Sequence, residues 1–450
     1  MKKYLIYKNI NSNLKKNIYQ ILKNRLDFAS LLMIKFFMKK VLLISYNSCY
    51  PLNHGGAIAQ YYFIDGLKAQ FQFVLCTEIN SETELKQLEV LKQKQPTLKI
   101  YSLNSFQRVS KTHTGKKFRH YIKSILSNFQ LKKNPNLNIL PNSDDFADSY
   151  FEHVDNKHTE RFVKFLNEII IKEDIEQVQL EFYNTIDLCF AIPKNIRKIF
   201  IHHELRFKRM QLAFERSPLS YNYKHYLIDK TEIFERSCLK VMDDVVVFNE
   251  NDAVLLRKDC KSIKVSPFGI PDELVFKKNV SSTFDKFIFI GGEGHTPNLL
   301  GLTWFLDEIY VPNMNQIDYP IWIIGDWSDN LKNKYKIHPE IVFCGVVDSI
   351  EPYFEKSIFI NSILTGAGLR TKVLHAFVNS VPVLSTRFGA EGCYFEEVKD
   401  HIGFFDSSEE FIELITNNKF VQLGEAGFNY YNKYFDKENL LKIRKKILLN

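Results

Sequence analysis

The sequence holds little that would tie it to disulfide, membrane-spanning or redox-cofactor chemistry. Its 450 residues include seven cysteines, Cys49, Cys76, Cys189, Cys238, Cys260, Cys344 and Cys393, an odd and scattered set with no CxxC pair. That argues against a disulfide framework and against a zinc site of clustered thiolates, and for reduced thiols in a cytoplasm. No uninterrupted apolar run reaches the ~18 residues expected of a membrane helix. No GxGxxG turn accompanies the first strand–helix–strand pattern, so a nicotinamide cofactor is not indicated; a P-loop lysine motif and a nucleophile elbow are missing too. Nothing resembles a metal site, because Asp243-Asp244 precedes a buried strand and reads as a loop or cap. No repeat recurs at a solenoid period.

What is there is an ordinary globular composition on a chain too long for one core, so two domains are expected. The formal net charge is a modest +8. It is locally concentrated: between Arg108 and Lys133 there are eight Lys or Arg and no acid, interleaved with Tyr121, Ile122, Ile125, Leu126 and Phe129. That pattern fits an amphipathic face for anionic lipid or a charged acceptor, and equally a solvated helix with an apolar side. A nucleic-acid partner is not indicated. The start is basic without a clean apolar core and cleavage site. Met38-Lys39-Lys40 followed by VLLIS reads as a more natural start of a fold. Residues 1–37 are therefore expected to be an extension outside it, or the product of a mis-assigned start.

Alternating strands and helices then follow. Strands are expected at 41–45, 71–76, 176–181, 198–202 and 244–248, with helices at 57–69 and 160–172 and another through 234–239. A second series begins near Pro271, with strands at 287–290, 321–324, 341–344, 358–361 and 381–386 and a helix at 298–308. Alternation of this kind implies parallel sheets covered on both faces, an α/β fold. Several strands of the second series end in Gly or Gly-Asp turns, which places a glycine-lined crevice at their C-terminal edge.

The most informative stretch is 361–392, NSILTGAGLRTKVLHAFVNSVPVLSTRFGAEG. An apolar strand runs into Gly366 and Gly368, then a helix carries Arg370 and Lys372 in its first turn, and a second strand ends in another glycine-acid turn. A glycine turn feeding a helix start offers N–H groups and a positive dipole end to an anion. Two cations beside it suit a diphosphate better than a carboxylate.

Four blocks in order, FIFIGGEGHTPNLLGLTWFLDEI, WIIGDWSD, VFCGVVDSIEPYFEKS and GAGLRTKVLHAFVNSVPVLSTRFGAEG, resemble the nucleotide-sugar domain of GT-B glycosyltransferases of family 4, the group 1 transferases. YNSCYPLNHGGAIAQYYFIDGL and FIHHELRFKRM match their first domain more loosely. The resemblance covers most of residues 38–430. It implies two Rossmann-like domains with parallel sheets facing across a cleft: 38–270 on the acceptor side, 271–425 binding the nucleotide sugar, and a C-terminal helix, 426–450, crossing back to the first.

The resemblance also implies roles. Gly366, Ala367, Gly368 and Leu369 would wrap the donor diphosphate, and Arg370 and Lys372 would neutralise the leaving nucleotide. Gly345 and Val346 would meet the base, Gly291, Gly292, His295 and Asn298 would face the same crevice, and Glu391 would cap the sugar side. Relatives show a Glu-x7-Glu pair where this chain has Ala367 and His375, so the ribose contact is expected to be altered. Gly55 and Gly56 would approach the donor across the cleft, and His202 or His203 would bond the donor sugar or acceptor. Adjacent on a strand, the two histidines point to opposite faces, and the sequence does not choose between them.

The activity implied is transfer of a sugar from a nucleotide-sugar donor to a glycan or lipid-linked acceptor, with retention, in cell-surface polysaccharide synthesis. No metal or other cofactor is expected, and the place is the cytoplasm, with peripheral contact at the inner membrane face through Arg108–Lys133. A non-catalytic GT-B protein that binds a nucleotide sugar or glycan, or an epimerase or phosphorylase on the same architecture, stays open as an alternative.

Overall fold

The computed structural model describes residues 38–46, 48–105, 158–214, 219–276, 281–366, 368–393 and 395–450. The expectations for 1–37, for Arg108–Lys133 and for Ala367 fall outside these residues. The first sheet contains β1 (Lys40–Ser45), β2 (Gln72–Ile79), β3 (Lys99–Asn104), β4 (Gln177–Glu181), β5 (Arg197–His202), β6 (Asp244–Val247) and β7 (Ile263–Val265), in the order β3-β2-β1-β4-β5-β6-β7. The second contains β8 (Lys286–Ile290), β9 (Ile321–Ile324), β10 (Ile341–Gly345), β11 (Ser357–Asn361), β12 (Val383–Ser385) and β13 (Gly403–Phe404), in the order β10-β9-β8-β11-β12-β13. Every pairing is parallel.

The sequence explains the central strands. VLLI in β1, VVV in β6 and FIF in β8 are fully buried apolar runs, as strands covered by helices on both faces must be. The strands that the apolar pattern does not announce, β3, β7 and β13, are the edge or near-edge ones. KIYSLN in β3 alternates with half-exposed polar residues, and β13 is two residues long. Val381 and Thr386 lie outside β12, which is shorter than its apolar run.

In both sheets the strand order reverses once, between β1 and β4 and between β8 and β11. Loops leaving the C-terminal ends of such strands diverge and leave a crevice. Two helices start there: α1 (Gly55–Leu67) after β1, and α4 (Thr371–Val378) after β11; α2 (Arg206–Phe214) follows β5 and α3 (Thr296–Trp304) follows β8.

The end of the chain joins the two halves. Helix α5 (Phe420–Tyr434) packs on α4, where Gly427 presents no Cβ to the Phe377 ring. Helix α6 (Lys437–Leu449) then returns to the first sheet. Its Arg444 guanidinium lies 3.8 Å from the Phe63 ring centroid, and Nε donates to Ser266 Oγ at 3.1 Å. Arg197 donates to the Ile447 carbonyl at 2.9 Å. The two passages of the chain between the halves run side by side, since the Ile270 N–H donates to Tyr431 Oη at 2.7 Å. All seven cysteines are free thiols. Among the described residues no helix is long and apolar enough to cross a membrane.

Gly66 tests the docking of α6. A helical Gly→Ala change ordinarily gains about 1 kcal/mol from propensity. Here a Cβ would lie 2.5 Å from Leu441 Cδ2. Gly66→Val adds branches that a rotation of Leu441 does not clear, so a loss of about 1–3 kcal/mol is expected from overpacking. Denaturant unfolding measures it; a neutral or stabilised variant would show that α6 does not sit on α1.

Candidate active site

The loops that leave the two reversal points line one cavity of about 390 Å³. From the first half come His54, Gly55 and Gly56 after β1, Phe182, Tyr183 and Asn184 after β4, and His203, Glu204, Arg206 and Arg209 after β5. From the second half come His295, Pro297 and Asn298 after β8, and Asn361, Ile363, Gly366 and Gly368 to Lys372 after β11. The halves touch at this point. A Cβ on Gly55 would sit 2.7 Å from Thr371 Oγ1, so the first turn of α1 meets the first turn of α4. Two helix dipoles therefore direct their positive ends at the same space.

On the second-half wall the turn needs glycine. Gly366 has φ 119° and Gly368 φ 85°, and a Cβ on Gly368 would also lie 3.1 Å from the His203 carbonyl. The turn delivers Arg370 and Lys372 to the cavity. Burial holds the Arg370 guanidinium below its usual range, and its buried Nε has no hydrogen-bond partner among the described residues. Lys372 donates to Asn298 Oδ1 at 2.9 Å. Burial first, and then the Arg370 charge, bring its ammonium down to about 8. Asn298 also donates to the Gly292 carbonyl at 3.1 Å. His295 is brought down to about 4 by burial and then by Lys372 and Arg209, so it is a neutral imidazole at pH 7.

On the first-half wall His54 caps α1. Its Nδ1 accepts from the Ala57 N–H at 3.2 Å, which leaves the Nε2–H as a donor. Phe182 carries φ 69° and ψ 154°, a conformation that costs a non-glycine residue about 1–3 kcal/mol. It is held there by stacking on His203, ring centroids 4.0 Å apart and planes 17° apart. Gly56 makes room for that ring, since a Cβ would lie 2.3 Å from Phe182 Cε1. His203 Nε2 donates to Glu181 Oε2 at 2.7 Å, which fixes the orientation of the ring. Burial raises the Glu204 carboxyl, but Arg209 and Arg206 outweigh it and keep it ionised below the usual range. Glu204 pairs closely with Arg209 and stands 4.0 Å from Arg206.

The structure chooses between the two histidines: His203 lines the cavity, whereas His202 is turned into the core, 2.8 Å from buried Glu235. Ten expected residues come together here: Gly55, Gly56, His203, His295, Asn298, Gly366, Gly368, Leu369, Arg370 and Lys372. Others do not. Gly291 and Gly292 stand behind Asn298 and seat its amide. Gly345 and Val346 lie away at the end of β10, Val346 with 78% exposure, and Glu391 is on an exposed turn.

The expected ribose contact at His375 is not what the geometry provides. The ring is buried between Phe276 and Phe354, and Nε2 donates to the Leu274 carbonyl at 2.9 Å. Burial brings it down to about 4, so it is neutral. Asn379, one turn on, donates to the same carbonyl and accepts from the Phe276 N–H. This end of α4 grips the segment joining the halves. The expectations overlooked Arg206, Arg209, His54 and Phe182; the basic run in HHELRFKR, directly after a strand end, is the signal that could have found the first two.

Residues 285–417 match the family model described as Glycosyl transferases group 1. An uncharacterized 44.6 kDa protein in the cps region of Klebsiella pneumoniae is 29% identical over 292 residues, covering 50% of this chain and 74% of that protein. Among solved structures, an S. aureus TarM mutant in complex with fondaparinux, alpha-GlcNAc-glycerol and UDP superposes with a TM-score of 0.62 at 10% identity, over 92% of this chain and 100% of that one. Sucrose-phosphate synthase from Thermosynechococcus elongatus gives 0.60 at 13% identity, over 91% and 98%. WaaG, a glycosyltransferase involved in lipopolysaccharide biosynthesis, gives 0.52 at 9% identity, over 91% and 98%. The turn that carries Arg370 and Lys372 lies within the family match, and the paired parallel sheets are those of the neighbours. Residues 285–417 thus carry the match to the glycosyl transferases group 1 model, and the architecture of the described residues is the GT-B fold.

Proposed function

We propose that this protein moves a sugar from a nucleotide-sugar donor to a glycan or lipid-linked acceptor, with retention of configuration, in the synthesis of a cell-surface polysaccharide. One observation carries the reading. Arg370 and Lys372, half-buried and without a carboxylate ion pair among the described residues, are delivered by a glycine turn to a cavity lined by both halves of a GT-B fold. Buried cations are costly unless an anion joins them. The UDP in the TarM complex and the cps-region relative support the nature of donor and product.

In this reading the donor diphosphate lies against Gly366, Gly368 and the first turn of α4. As the bond from the sugar to the diphosphate breaks, negative charge grows on the leaving phosphate oxygen, and Arg370, Lys372 and the helix dipole stabilise it. That oxygen takes the proton of the acceptor hydroxyl, so the step needs no protein base. The two side-chain cations supply the charge that a metal would otherwise bring, and we propose a metal-independent reaction. His203, held by Glu181, bonds a hydroxyl of the donor sugar or the acceptor, while His375 serves the joint between the halves rather than the ribose.

Arg370→Gln is expected to lower kcat/KM for the donor by about 10²–10³, the usual effect of deleting one such donor group. The fold should tolerate it, because the change removes a half-buried charge that forms no carboxylate ion pair among the described residues. A screen of uridine and guanosine diphosphate sugars for released nucleotide reads both. Turnover unchanged in the variant would remove the site assignment, and binding without release with any acceptor would favour a non-catalytic binder.

Lys372 gives a pH dependence of definite sign. Its ammonium is lowered to about 8, so the charge that the donor needs is lost as pH rises through about 8. The kcat/KM for the donor, which reports the free enzyme, is expected to fall above that pH. Lys372→Arg should move the alkaline limb out of range, because a guanidinium stays charged. A flat wild-type profile to pH 10 would mean that Lys372 does not contact the donor.

A further inference from the structure

A buried polar layer stands behind the cavity, at the C-terminal ends of the first-sheet strands. Ser45 ends β1 and Glu181 ends β4, and the two are in register across that pairing, so their side chains share a face of the sheet. Ser45 Oγ donates to Gln60 Oε1 of α1 at 3.5 Å. Phe63, on the same side of α1 as Gln60, carries the Arg444 guanidinium 3.8 Å from its ring centroid. Arg444 Nε donates at 3.1 Å to Ser266 Oγ, just beyond β7. The last helix of the chain thus sends a cation into the layer that holds Glu181.

Burial decides how charge behaves there. Glu181 is 2% exposed and Arg444 1%. The Glu181 carboxylate accepts from Gln179 Nε2 and from His203 Nε2, so it is the one link between this layer and the cavity-lining ring described above. Burial brings the Arg444 guanidinium down to about 10, and the Glu181 charge acts against that fall. Arg444 Nη2 has no hydrogen-bond partner among the described residues. A guanidinium in this setting contributes its charge more than its hydrogen bonds. Other groups face the pair. Burial raises the Cys49 thiol, and burial and then His203 lower the His54 ring, so both are neutral at pH 7. Phe182 and Phe248 cover the His203 ring without charge, and Glu204, next in sequence, pairs with Arg209.

We infer that Arg444 is a positioning residue for His203: its charge compensates the buried Glu181 carboxylate, which in turn holds the His203 ring at the cavity. The inference rests on the role proposed above for His203 and adds a residue that touches neither donor nor acceptor. It has a definite sign. Without the Arg444 charge, the buried Glu181–His203 pair gains by taking up a proton. The ring then becomes cationic at a higher pH than in the wild type, and a cationic ring no longer accepts from a substrate hydroxyl. The acid limb of kcat/KM moves up with it.

NMR of histidine-labelled full-length protein tests this, with the signal lost in His203→Gln assigning the ring. Arg444→Gln keeps an N–H donor for Ser266 and removes the charge; Arg444→Met is a second neutral variant. In each, the midpoint of the His203 titration, which belongs to the coupled pair, is expected to rise by about half a pH unit or more. Arg444→Lys should stay with the wild type, because an ammonium is still charged in that range. Thermal melts check folding. An unchanged midpoint in the neutral variants overturns the inference and leaves the transfer reaction standing. So does an equal rise in Arg444→Lys, which would make the effect one of packing. In a Glu181→Gln background the effect of Arg444→Gln should largely vanish; an undiminished effect overturns the route through Glu181. A midpoint that rises while the kcat/KM profile stays in place overturns the role of His203 in transfer, and the positioning role with it.

Discussion

Positive charge gathered in one cavity between the two halves is the constraint on which the rest depends. Arg370, Lys372 and Arg206 are all held in the cavity wall, and two helix starts add their dipoles. Left alone, these groups repel one another and lose hydration. The structure accepts that cost locally and offsets it with extensive burial of Val, Ile, Leu and Phe in the strands behind. Lost hydration first, and then that repulsion, lower Lys372 toward neutrality and give an anionic ligand its advantage over water.

Rigid backbone elements aim these charges. Gly366 and Gly368 adopt positive φ, so the chain can turn from β11 into α4 within a few residues. Asn298 fixes Lys372 from one side and is itself seated by the Gly292 carbonyl. On the opposite wall, the strained Phe182 backbone persists because the ring is trapped between His203 and the space that Gly56 leaves. Such strain is tolerated where surrounding contacts fix it, and it clusters at functional sites.

Much of this was legible in the sequence, and the reason differs by residue. Buried runs such as VLLI at 41–44 announce central parallel strands because both faces are apolar. The glycine turn with Arg370 and Lys372 is legible because turn chemistry and charge fall within seven residues. Edge strands such as Lys99–Asn104 are not, since most of their residues are only half-buried and the backbone partner decides their state. Arg206 and Arg209 escaped because a basic run after a strand end looks like any solvated helix start until the opposite half closes over it. His375 shows the reverse. Its place in the motif suggested a ligand contact, but a neighbouring backbone carbonyl, supplied by a segment a hundred residues earlier in the chain, had already claimed its nitrogen.

Helix α6 belongs to the first half in space although it is last in sequence, so the polypeptide passes between the halves twice. Tyr431 ties the second passage to Ile270 in the first, and Lys437 pairs with Asp272 close by. Two neighbouring threads make a door hinge rather than a universal joint. Rotation about that one seam would part Gly55 from Thr371, where the first turns of α1 and α4 now meet.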